Sequence, residues 1–139
     1  MKRFTSLLAL SAAVVAIGCG GDDEDVNNNA DNYDGTDAEV ASLVDDFGNA
    51  GRDGDGEQVC GEIFTEELVS NIEDESGQSC ASEVEDNLPE GEYELTIDSL
   101  EVDGGAATVG VTDQDDNESV LHIRRAKGDW RVARVTPGS

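Results

Sequence analysis

The segment Tyr93-Glu94-Leu95-Thr96-Ile97-Asp98-Ser99-Leu100-Glu101-Val102 decides the fold. Tyr93, Leu95 and Ile97 alternate with polar residues, the period-two pattern of a strand with one face against a core. Leu100 and Val102 continue the alternation in the opposite phase. A one-residue slip of this kind would turn the second half of the strand inside out. An extra residue near Asp98-Ser99, a β-bulge, restores the inward face and bends the strand.

Toward the C-terminus, Gly104-Gly105 is a tight turn. Ala107, Val109 and Val111 then form a second strand, and Asp113–Asn117 a polar hairpin loop. Val120–Arg125 and Trp130–Val135 are two further strands around Lys127-Gly128-Asp129. The spacing predicts a four-stranded antiparallel meander.

Toward the N-terminus the period changes to that of a helix. Ser79 caps a short helix with Cys80, Val84 and Leu88 on one face, stopped by Pro89. Before it, Val59, Cys60, Ile63 and Phe64 form the face of a helix beginning near Gly56 and restarting at Thr65-Glu66-Glu67 with Leu68, Val69 and Ile72. Val40, Leu43, Val44 and Phe47 mark a first helix. Thr36 and Glu39 fit its capping box, and Gly51 fits its end. The predicted fold class is α+β: three N-terminal helices packed on a curved four-stranded antiparallel meander, over residues 37–136.

The chain carries 33 acidic and 8 basic residues, a net charge of −25. Such a surface repels phosphates, so nucleic acid is excluded as a partner. An acid-rich, lysine-poor surface also occurs in proteins adapted to high salt. Arg124, Arg125, Lys127, Arg131 and Arg134 crowd near the C-terminus. They form an anion site on the last hairpin or neutralise acidic helices of the same domain, and the second reading is favoured.

Lys2 and Arg3 precede the apolar run Leu7–Ile17, which ends at Gly18-Cys19. A basic start, a short apolar run and a small residue are the parts of an export signal. The run is well below the ~20 residues of a spanning helix. It resembles a bacterial lipoprotein signal peptide, although Ala16-Ile17 is loose against that motif. The resemblance implies removal of residues 1–18 and lipidation of Cys19, by a diacylglycerol thioether plus an N-acyl chain such as palmitate. At ~0.8 kcal/mol per buried CH₂, three chains anchor stably. Ordinary signal cleavage, releasing a free protein, is the competing reading. Residues 19–36 are rich in Asp, Asn and Gly and read as a disordered, lipid-anchored acidic linker.

With Cys19 lipidated, Cys60 and Cys80 remain as a pair in an oxidising compartment, where paired thiols cross-link. A metal site competes, but it needs further ligands, and His122, the single histidine, lies far along the chain.

A helix ending in a Gly-Asp-Gly turn, a Cys-containing helix, a second Cys, and a curved meander closing on Gly128-Asp129-Trp130-Arg131-Val132 form a known combination. It resembles the nuclear transport factor 2-like, or cystatin-like cone, superfamily, and within it small bacterial lipoproteins. The resemblance implies a bent sheet around a long first helix, with a cone-shaped pocket. That superfamily holds isomerases, cyclases, dehydratases and non-catalytic binding modules, so the fold leaves the function open.

Three residues are candidates for proton transfer. His122 carries the imidazole, the usual side chain for proton transfer, but its alternation with Leu121 and Ile123 turns it outward. Tyr93 and Asp98 offer a hydroxyl and a carboxylate, but read as core and bulge. Asp53–Glu57 and Asp113–Glu118 resemble calcium loops, yet the sixth and twelfth positions are Gln58 and Phe64 in one, Glu118 and Arg124 in the other. An EF-hand needs Gly and Glu there. Trp130 reads as a core anchor. No catalytic, cofactor or metal residue is assigned.

The expected function is a lipid-anchored, non-catalytic domain on the extracytoplasmic side of the cell membrane. It would bind a small apolar ligand or an envelope protein. The alternatives are a cone-fold enzyme of the cyclase or isomerase type, or a purely structural envelope protein. Many relatives of the fold are homodimers.

Overall fold

The structure, a computed structural model, describes residues 28–88 and 93–138. The expected signal peptide, Cys19, most of the linker and Pro89 lie outside the described residues. The elements run as a 3₁₀ turn Asn29–Asn32, α1 Gly35–Asp53, α2 Gly56–Gln58 continuing as a π-helix Val59–Ile63, α3 Glu66–Ser76 and α4 Cys80–Asn87. Strands β1 Leu95–Asp103, β2 Ala106–Asp113, β3 Glu118–Ala126 and β4 Asp129–Pro137 follow.

The sheet is an antiparallel meander in the order β1-β2-β3-β4. Its first strand has the expected bulge. Ile97 pairs with Val111 and Ser99 with Gly110, leaving Asp98 as the extra residue. A second bulge was not expected. His122 pairs with Arg134 and Ile123 with Val132, so Ala133 is extra on β4. The two bulges bend the outer strands of the sheet around α1.

Three expected helices become four, because the second divides at Phe64-Thr65. Phe64 is extended, forms a parallel bridge to Val132, and is followed by Thr65 N–H donating to Val132 O at 2.9 Å. The Thr65 hydroxyl then accepts from Leu68 N and caps α3. Ser79 caps α4 as expected, accepting from Ser82 N.

The first helix differs from its predicted ends. It begins at Gly35, behind Asp34, which makes no side-chain capping bond, so the Thr36–Glu39 box does not form the cap. It runs past Gly51 to Gly54, a left-handed C-cap at φ 69°.

Val40, Val44 and Phe47 of α1, with Val59, Ile63 and Phe64, pack against Val109, Leu121, Ile123, Trp130 and Val132 of the sheet. Each fully buried aliphatic side chain contributes roughly 1.5–3 kcal/mol. The Cys60–Cys80 disulfide is present, joining the π-helix to the first residue of α4. Gly56 packs on α4 so closely that a Cβ there would lie 3.0 Å from Ala81 Cα.

The 3₁₀ turn falls within the stretch read as linker, yet it is fixed to the domain. Asp45, buried on α1, accepts from Asn29 N and Nδ2 and from Ala30 N, each at 2.8 Å. The Asn29 amide also donates to Leu95 O at 2.8 Å and accepts from Ile97 N at 3.0 Å. One side chain thus occupies two ladder positions on the β1 edge, which blunts that edge against further strand pairing. Among the described residues no helix is long and apolar enough to cross a membrane.

Candidate functional site

The mouth of the cone is built on Tyr93. A helix carrying a Cβ at position 51 would collide with its ring, lying 2.9 Å from Cε1 and nearer still to Cδ1. Gly51 therefore lets the ring lie flat on α1. Tyr93 meets Phe47 edge-on at 5.9 Å, and Phe47 meets Phe64 likewise at 5.5 Å. Burial, and then the negative charge of Asp113, push the Tyr93 hydroxyl up to about 12.

Asp113 ends β2 on the same face as Val109 and Val111. Its own burial acts to raise its carboxyl. That effect is outweighed by hydrogen bonds from Asn117 N at 3.0 Å, Asn117 Nδ2 at 3.2 Å and Asp115 N at 2.8 Å, which hold it below the usual carboxylate range. These bonds spend the carboxylate on closing the hairpin loop rather than on a cation. Among the described residues no group of three or more His, Cys, Asp or Glu side chains is arranged to hold a metal.

The remaining mouth cavity is about 60 Å³, bordered by Phe47, Tyr93, Asp113, Asn117, Ser119 and Val135. That has room for a few waters, against roughly 300–1,000 Å³ for a ligand pocket. Among the described residues, core side chains of α1 and the sheet pack over the inward face of the sheet.

The three candidate proton-transfer residues do not converge. Tyr93 faces inward. Asp98, in the bulge, is exposed and accepts the Thr112 hydroxyl. His122 sits between buried Leu121 and Ile123 on the opposite face, with Nε2 3.2 Å from Thr136 Oγ1. Tyr93 and Asp98, the candidate hydroxyl and carboxylate, are therefore not brought together, and His122 lies apart from both. Trp130 is buried, as expected, under the Arg125 guanidinium at 4.6 Å.

A larger concavity lies outside the cone, between α3 and the β3–β4 hairpin. It measures about 530 Å³. Phe64, Val69, Ala126 and the partly exposed Cys60 give it apolar surface. Arg124, Lys127 and Arg131 line the hairpin side, Glu66 and Glu67 the α3 side. Arg124 pairs with Glu67 at 2.6 Å and Lys127 with Glu66 at 3.3 Å. Arg125 pairs with Glu39 on α1 at 3.2 Å. Arg131 donates to Gly61 O at 2.9 Å and Phe64 O at 3.3 Å. Of the five C-terminal cations, Arg124, Arg125 and Lys127 thus pair with acidic residues of α1 and α3, as the favoured reading has it, while Arg131 binds backbone carbonyls instead.

Two site features escaped the sequence reading. Asp113 reads as loop in the sequence, although its two-residue spacing from Val111 puts it on the inward face. The groove had no sequence signal, because it arises from the break at Phe64-Thr65.

No protein-family model matches the chain. No curated protein matches it. Among solved structures, the chain is similar to an NTF-2-like protein of unknown function from Silicibacter pomeroyi. The two share 19% identity and a TM-score of 0.51, over 70% of this chain and 90% of that one. The fold is therefore NTF-2-like.

Proposed function

We propose that this chain is a lipid-anchored extracytoplasmic binding domain that acts through the groove between α3 and the β3–β4 hairpin rather than through the cone. The observation that carries the site is the contrast of volumes, about 530 Å³ outside the cone against about 60 Å³ in its mouth. An apolar floor between walls of opposite charge suits a small, weakly polar ligand or a segment of an envelope protein. The exposed ion pairs across it, worth roughly 0–1 kcal/mol each, are readily exchanged for contacts to an occupant. The anchoring rests on Lys2-Arg3, the Leu7–Ile17 run and Gly18-Cys19.

Two measurements test this. Intact mass of the mature protein from membrane and soluble fractions should give a lipid-modified Cys19 in the membrane fraction. A soluble, unlipidated product would sink the anchor. Amide shift mapping against fractionated envelope extracts should move Phe64, Val69 and Ala126. Shifts confined to Tyr93, Asp113 and Ser119 would return the site to the cone.

A further inference from the structure

The Cys60–Cys80 disulfide is unequal at its two ends. Cys60 belongs to the π-helix, is partly exposed and lines the outer groove. Cys80 is buried, with 2% of its surface exposed, and is the first residue of α4 behind the Ser79 cap. A thiolate arriving through the groove meets the Cys60 sulfur. The leaving sulfur is then Cys80, at the N-terminus of α4, whose first-turn amides are largely taken up: Ser82 N donates to Ser79 Oγ and Glu83 N to Ser79 O. Glu73 Oε2, 3.1 Å from Cys80 N, takes up a further one.

What the bond holds is equally uneven. Between Thr65 and Leu88 the chain carries eight acidic residues and no basic one. Helix α3 has no buried residue, and α4 buries Cys80 and Val84 alone. On its groove side, α3 is held by the exposed pairs of Glu66 and Glu67 with Lys127 and Arg124. A self-repelling hairpin with few buried contacts opens at the low end of a protein's stability range. The covalent bond adds to the packing of the partly buried Leu68, Val69 and Ile72 and of Val84 against the core.

We propose that Cys60 is a thiol-exchange site, and that exchange there releases the α3–α4 hairpin while the sheet stays folded. The co-reactant is a dithiol reductant. Its first thiolate attacks Cys60 Sγ, the Cys60–Cys80 bond breaks, and Cys80 leaves as a thiolate that takes up a proton. The second thiolate then attacks the reductant's own sulfur in the mixed disulfide and frees Cys60. The reductant becomes a cyclic disulfide, and two electrons and two protons pass to the protein. The opened state bares Leu68, Val69 and Ile72 beside the groove. This deepens the proposed function, from which it takes the groove and the extracytoplasmic setting, but its assay needs neither ligand nor membrane.

The test uses the purified, oxidised mature protein, with any free Cys19 first blocked by N-ethylmaleimide. Glutathione is added without denaturant, the reaction is quenched with iodoacetamide, and the cysteines are mapped by mass. The expected result is glutathione on Cys60 and the alkyl group on Cys80. Hydrogen exchange on the reduced protein should then quicken over residues 66–88 by about tenfold or more relative to β2 and β3. A Cys60→Ser/Cys80→Ser variant should show the same pattern without reductant. Glutathione on Cys80, no adduct until denaturant is added, or exchange that rises equally through the sheet would each overturn the proposal. None of those results bears on lipidation of Cys19, so the two readings fail separately.

Discussion

Gly51 shows how one missing methyl shapes the mouth of the fold. Glycine within a helix costs roughly 1 kcal/mol relative to alanine, so Gly51→Ala would be stabilising on propensity alone. Here the new Cβ drives into the Tyr93 ring, and overpacking of this kind costs about 1–3 kcal/mol. Urea denaturation should show Gly51→Ala to be destabilising. In a Tyr93→Ala background the sign should reverse, to neutral or up to about 1 kcal/mol stabilising. The same ring sets an alkaline limit. Tyr93 stays protonated to about 12 in the folded chain but ionises near 10 when unfolded. The unfolded state therefore binds fewer protons between those values, and stability falls as pH rises from 10 to 12. A shift of about two units corresponds to a loss of up to about 3 kcal/mol. Denaturation midpoints of the parent should drop across this window, and those of Tyr93→Phe should drop less.

At the scale of elements, the clasp between the 3₁₀ turn, α1 and β1 carries the sharpest prediction. Asp45→Ala removes the acceptor for Asn29 N, Asn29 Nδ2 and Ala30 N. A buried donor left unpaired costs about 1–3 kcal/mol, and these part-buried donors should lie at the low end of that range. The turn should detach, and protease cleavage between 28 and 34 should speed up. Unchanged cleavage would mean that the turn is held by other contacts. This clasp was hidden in the sequence because Asn29 and Asp45 are polar, and hydrophobic periodicity cannot pair polar residues across a fold. The sheet was legible for the opposite reason. The phase slip between Ile97 and Leu100 is a direct imprint of the Asp98 bulge. The same imprint, Trp130 and Val132 against Val135, marks the Ala133 bulge on β4. Helix ends were harder to read. Thr36 and Gly51 have the chemistry of caps, but tertiary packing used Gly51 for Tyr93 and let α1 run on to Gly54. The π-helix is also local chemistry overruled, since Val59–Ile63 keeps a helical face while Phe64 is pulled straight by Val132.

The whole molecule is governed by its charge. A net charge of −25 raises the energy of the compact state, because folding crowds carboxylates that the unfolded chain spreads apart. Opposing this among the described residues are the local ion pairs Arg124–Glu67, Arg125–Glu39 and Lys127–Glu66, whose side chains are 42–87% exposed. Pairs so open to water contribute roughly 0–1 kcal/mol each. Salt weakens both terms, since the screening length falls from about 30 Å at 0.01 M to about 3 Å at 1 M. The repulsion is summed over many charges at long range and should lose more than the three contacts do. Thermal melting of the parent should therefore move upward as sodium chloride is raised from 0.01 to 1 M. The gain should be largest for the α3–α4 hairpin, whose eight carboxylates have no basic neighbour in sequence. Hydrogen exchange at the two salt levels checks that distribution, with slower exchange expected over residues 66–88 in high salt. A melting point that falls with salt would reverse the balance, making the cross-groove pairs with Arg124 and Lys127 the dominant electrostatic term in this fold.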